Sequence, residues 1–164
     1  MALRQIRIWG DPVLRQKVGD LQEIDGSVAR LIQDMIETMN DAPGVGLAAT
    51  QIGVSKRIFV YDIGDGPEVV INPRIVESSG EWTYEEGCLS VPGLSWPITR
   101  PNHVLLRGLD LNGNPLEREG SELLGRVFQH EVDHLDGILL LERLDPDTKK
   151  QALKILRERA LSSS

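Results

Sequence analysis

The sequence predicts an α+β fold, on two observations. Three stretches carry helical periodicity, one near the start and two near the end. The glycines and prolines cluster instead between residues 41 and 120, a block that reads as short strands and turns. Helices bracketing a block of strands do not give the strand–helix alternation that a parallel sheet requires. A chain of 164 residues is long enough for one domain with a sizeable core and short for two, so residues 1–164 are expected to form one unit.

The first helix is expected over Asp25–Asn40, where Val28, Leu31, Ile32, Met35, Ile36 and Met39 fall on one face behind an Asp25 N-cap. The segment Gly44–Gln51 follows and reads as a C-capping turn leading into small packing residues. Strands are expected at Arg57–Asp62, Val69–Asn72, Arg74–Ser78, Glu81–Glu85, His103–Leu109 and Pro115–Glu117. Asp65-Gly66 and Asn112-Gly113 mark turns between pairs of them. The second helix, Ser121–Asp136, has Ser121 as its cap, Leu124, Val127, Phe128 and Leu135 as its apolar stripe, and Gly137 as its stop. Asp145-Pro146 opens the third, carrying Ala152, Leu153, Leu156 and Ala160 to Leu161.

Composition narrows the function. A net charge of −7 argues against a general or sequence-specific nucleic-acid binder. No apolar run approaches the ~20 residues of a membrane helix, and the opening MALRQIRIWGD has neither signal-peptide nor transit-peptide character. The single cysteine, Cys88, allows no intrachain disulfide, which fits a reducing, cytoplasmic compartment.

The most informative segment is Gln129-His130-Glu131-Val132-Asp133-His134-Leu135-Asp136-Gly137. Histidines four apart on a helix project from one face and can share a metal, and Glu131 can reach water on that metal without being a ligand. This is the HExxH pattern of metallohydrolases. A longer HExxHxxGxxH pattern fits at Gly137 but fails at Leu140, and the downstream acids Glu142 and Glu158 have no compelling ligand spacing. Cys88, in Glu86-Gly87-Cys88-Leu89-Ser90, offers a soft thiolate that would complete a Cys-His-His set with one open position. His103 reads as an ordinary surface or packing histidine.

GVGLAATQ, EGCLS and QHEVDHLDG, in that order, resemble the three signature motifs of the peptide deformylases. The resemblance implies short sheets wrapped around a central HExxH-bearing helix. It implies removal of the N-formyl group from the methionine that begins new polypeptides, with N-formylmethionyl peptides and nascent chains as partners. It also assigns residues. Cys88, His130 and His134 would hold one divalent metal ion per chain, Glu131 would shuttle the proton, and Gln51 and the Leu89 N–H would stabilise the oxyanion. The donor set alone reads as Zn2+, whereas the family favours ferrous iron (Fe2+), with Ni2+ or Co2+ as further occupants.

Leu123 and Val127 lie seven and three residues before His130, near its helical face, and could line a methionine pocket with Val45 opposite. In the family the substrate pairs like an added strand, and Gly44, Gly46 and Gly87 permit that approach. Arg126 is expected at the pocket mouth, its stem packed and its guanidinium in solvent. Glu86 and Arg100 could pair to brace the Cys88 loop; two unrelated surface charges are the alternative. Lys149, Lys150, Lys154, Arg157 and Arg159 give the last helix a basic face, either merely solvated or suited to ribosome docking.

Overall fold

The structure, a computed structural model, describes residues 2–162. Its elements run α1 (Gly26–Asp41), β1 (Gly46–Ala48), β2 (Ile58–Tyr61), β3 (Glu68–Ser79), β4 (Trp82–Cys88) and β5 (Val91–Arg100). After these come β6 (His103–Leu109), β7 (Pro115–Ser121), α2 (Glu122–Leu135) and α3 (Pro146–Ser162). Short 3-10 turns occupy Pro12–Arg15, Ala49–Ile52 and Leu140–Arg143. Five strands form one antiparallel sheet in the order β1-β2-β3-β6-β7, and β4 pairs with β5 in a second. The α+β expectation holds.

Period-two alternation on β2 explains the layering. Ile58 and Val60 face the α1 residues Val28, Leu31, Ile32, Met35 and Met39. Phe59 and Tyr61 point the other way, with Val104 and Leu106, onto Val127, Phe128, Val132 and Leu135 of α2. The main sheet is therefore covered on one face by α1 and on the other by α2. A third cluster joins Val91, Leu141, Ala152 and Leu156, so α3 seats against the start of β5.

Asp25 caps α1 as expected, its carboxylate accepting from the N–H groups of Ser27 and Val28. Asp145 does the same for α3 through Thr148 N–H. Ser121 does not cap α2. Its hydroxyl bonds His103 Nδ1 at 2.7 Å, and the N–H of Glu122 turns to Asn102 instead.

Three strand assignments change. Val69–Asn72 and Arg74–Ser78 are one strand, β3, with a bulge where Pro73 cannot donate to the ladder. Gly46–Ala48 is strand rather than turn and forms the edge of the main sheet. The strand β5 was not expected, because Pro92, Gly93 and Pro97 interrupt its pattern; it pairs only with β4 and so has an edge where prolines cost no ladder bond.

Candidate metal and catalytic site

Two elements deliver the chemistry. The α2 helix projects His130 and His134 one turn apart, and β4 ends at Cys88. His134 Nε2 lies 3.2 Å from Cys88 Sγ and 3.1 Å from His130 Nε2. Their ligand atoms all fall within 4.8 Å of one another. Tetrahedral bonds of about 2.0–2.3 Å separate donors by roughly 3.3–3.6 Å, so this spacing suits a single first-row cation. One thiolate and two imidazoles are also the right donor chemistry for it.

The electrostatics agree. Burial opposes ionisation of Cys88, but His134 and His130 outweigh it and hold the thiol well below its ordinary range. The Ser90 N–H also points at the sulfur, at 3.4 Å. Burial likewise works against charge on His130, yet Cys88 and Glu86 hold its pKa well above the usual value. Positive charge is thus favoured where the three donors meet.

Behind His130 stands Glu86. His130 Nδ1 donates to Glu86 Oε1 at 2.6 Å, which fixes the ring and leaves Nε2 facing His134. Arg100 grips both oxygens of the same carboxylate, at 2.8 and 3.0 Å, and reaches Asp133 at 2.8 Å. Burial opposes ionisation of Glu86, but the His130 and Arg100 donors prevail and bring its carboxyl down to about 2. The Glu86–Arg100 pair is real and buried, and it braces the loop as the first alternative held.

The catalytic candidates converge on the same place. Glu131 is 3% exposed, and its Oε1 has no hydrogen-bond partner among the described residues. Burial raises its pKa, against the pull of His130 and His134. Gln51 is buried in the 3-10 turn after β1; its Oε1 accepts from the Ala48 N–H at 2.9 Å. That bond aims Nε2 toward Ser90 Oγ, at 3.2 Å, and Cys88 Sγ, at 3.7 Å. Ser90 was not singled out from sequence. Its place two residues after Cys88, within EGCLS, was the available signal.

A cleft of about 850 Å³ opens onto these groups apart from His134 and Ser90, which are buried and do not line it. Gly44, Val45, Gly46, Gln51, Gly87, Cys88, Leu89, Leu123, Arg126, Val127, His130 and Glu131 all line it. His103 stands apart, bonded to Ser121.

The family model for polypeptide deformylase matches residues 3–150. The chain belongs to the polypeptide deformylase family. A peptide deformylase of Acidothermus cellulolyticus is 49% identical over 158 residues, covering 96% of this chain and 88% of the relative. One from Clostridium botulinum is 53% identical over 143 residues, covering 87% and 97%. Among solved structures, a peptide deformylase from Legionella pneumophila superposes with a TM-score of 0.91 at 42% identity, over 99% of this chain and 98% of that one. One from Thermus thermophilus gives 0.91 at 41%, over 98% and 96%.

One expectation fails in this deformylase-family cleft. The Arg126 guanidinium does not reach solvent: the residue is 3% exposed. It turns inward to donate to Glu86 Oε2 and the Ile98 carbonyl, each at 3.0 Å, and to the Trp82 carbonyl. A buried carboxylate and two strand carbonyls offer it more than water does, because charge-assisted bonds are stronger in a low dielectric. Arg126 therefore belongs to the wall and not to the mouth of the pocket.

Proposed function

We propose that this chain removes the N-formyl group from the N-terminal methionine of newly synthesised polypeptides, releasing formate. Membership of the deformylase family makes it a metal-dependent hydrolase that acts on formylated nascent peptides. The observation that carries the finer reading is the meeting of Cys88, His130 and His134, the first two lining one cleft with Glu131, whose Oε1 has no hydrogen-bond partner among the described residues.

Cys88, His130 and His134 are the residues to hold the cation. When bound, it supplies Lewis-acid chemistry, making a water acidic near neutral pH and polarising the formyl oxygen. Glu131 accepts the proton of the attacking water and passes it to the leaving α-amine. Its buried, upward-shifted carboxyl suits a group that must both take and give a proton. The Gln51 amide and the Leu89 N–H donate to the formyl oxygen as negative charge develops there. Val45, Leu123 and Val127 receive the methionine side chain. Both β1 and β4 are edge strands of their sheets and line the cleft, so an extended peptide can pair there.

Fe2+ is the favoured occupant, with Zn2+, Ni2+ or Co2+ as alternatives. Anaerobic reconstitution with iron should give the faster enzyme and one that loses activity in air, through oxidation of the iron and of Cys88; equal, air-stable rates with iron and zinc would count against this choice. The enzyme acts in the cytoplasm, and the exposed Lys150, Lys154 and Arg157 of α3 give it a basic face toward ribosomal phosphates. Salt-sensitive cosedimentation with ribosomes tests that docking.

The decisive assay compares a formyl-Met-Ala peptide with its unformylated counterpart, with and without chelator. Turnover of the formylated peptide alone, abolished by chelation, is expected. Cleavage of internal peptide bonds instead would overturn the reading.

A further inference from the structure

The metal donors come from two elements far apart in sequence, Cys88 from the end of β4 and the histidines from α2, so something must hold those elements in register. Arg100 reaches from β5 to Asp133 on α2, and Arg126, one turn before His130 on α2, reaches back the other way. Its guanidinium donates to Trp82 O and to Glu86 Oε2 on β4, and to Ile98 O on β5. It also lies over two aromatic rings of β4, 5.4 Å from the Trp82 centroid and 5.8 Å from that of Tyr84. Those rings pack on each other at 4.7 Å, so the cation sits on a preformed aromatic platform.

The Glu86 carboxylate is the hinge of this arrangement. Oε1 accepts from His130 Nδ1 and from Arg100, and Oε2 accepts from Arg100 and from Arg126. Four donors on two oxygens leave the carboxylate one orientation, and that orientation sets the plane of the His130 ring. The hydrogen bonds of Arg126 among the described residues go to Glu86, Ile98 and Trp82 and not to Cys88, His130 or His134. Arg126 acts through Glu86 on His130, and through Trp82 and Glu86 on the strand that ends at Cys88.

We propose that Arg126 is a positioning residue for the metal centre, clamping β4 to α2 so that Cys88, His130 and His134 are preorganised around the cation. This rests on the reading of those three residues as metal ligands. Preorganised donors need no ordering on binding, so the clamp's contribution is to metal affinity before it is to turnover.

Cobalt(II) is a suitable probe because its visible absorption reports ligand geometry, and its affinity can be read by competition with a chelator. Removing a group bonded directly to a ligating histidine costs typically about 10–100-fold in affinity; Arg126 acts one residue further out, so Arg126→Met is expected to lose about 10-fold, the low end of that range, with an altered cobalt spectrum. Arg126→Lys keeps the charge but not the fork, and it should lose less. Leu105→Ala, buried on β6, lowers stability at a residue outside β4, β5 and α2, and it should leave the affinity and spectrum as they are. Should Arg126→Met fail to fold, Arg126→Lys carries the test through its spectrum and its cobalt dissociation rate. Affinity and spectrum unchanged in the Arg126 variants, while Cys88→Ser abolishes binding, would overturn the clamp and leave the ligand assignment standing. Unchanged binding by Cys88→Ser would overturn the ligand assignment itself.

Discussion

Glu131 combines deep burial with an oxygen that has no hydrogen-bond partner among the described residues. A carboxylate so placed is costly unless a reacting group completes its shell, since an unsatisfied buried charge forfeits its solvation. Glu131→Gln keeps the shape and removes the proton carrier. The rate should fall by ~10²–10⁴ with metal content unchanged, as assayed on a formyl-Met peptide alongside elemental analysis. Near-normal turnover by the metallated variant would remove Glu131 from the mechanism. Gln51 and Leu89 separate along a different line. Losing the Gln51 donor should cost about 10²–10³ in kcat, whereas Leu89→Ile retains the backbone N–H and should stay within a few-fold of the parent. Gln51→Glu preserves the acceptor for the Ala48 N–H and replaces the donor by a carboxylate oxygen beside Cys88, so its loss should be at least as large. A Gln51→Glu variant within a few-fold of the parent would mean that the amide is not the oxyanion donor.

At the scale of elements, β1 is held against α2 by the absence of a side chain. A Cβ at Gly46 would lie 2.6 Å from Glu131 Oε2, which is overlap. The clashing atom is the end of a flexible side chain, so the fold can accommodate Gly46→Ala by moving the carboxylate. Activity should therefore drop by an order of magnitude or more while the melting temperature changes little, the pattern of a displaced general base. A large loss of melting temperature with kcat retained per folded molecule would place the strain in the backbone instead. The same elements show what the sequence disclosed. The i, i+4 histidines and the apolar stripes of α1 and α2 are local patterns, and these helices formed where their periods indicated. The strand β5 was hidden because its prolines and Gly93 are tolerated only through its edge position, a fact of tertiary pairing. Arg126 was misread for a related reason: helical position fixes where a side chain leaves the backbone, but its partners on β4 and β5 decide where the charge ends.

Across the whole molecule, the three donors bring together parts of the chain that share no sheet and little local sequence. The structure around them was legible in outline, because three short motifs mark the points of convergence, whereas the buried Glu86, Arg100, Asp133 and Arg126 network is spread over 48 positions and few of its pairs are neighbours in sequence. Such a centre should couple metal binding to global stability. A cation that binds only the folded state stabilises it by about 4 kcal/mol when its free concentration is a thousand times Kd. For a chain of this size each kcal/mol moves the melting temperature by roughly 2–4 °C, so chelation should lower it by about 8–16 °C. Scanning calorimetry with and without chelator measures the shift directly. Glu131→Gln should keep the whole of it, because the proposed ligand set does not include that residue, and Cys88→Ser should lose most of it. Were Cys88→Ser to show the same chelator-dependent shift as the parent, the stabilising cation would have to sit somewhere other than between Cys88, His130 and His134.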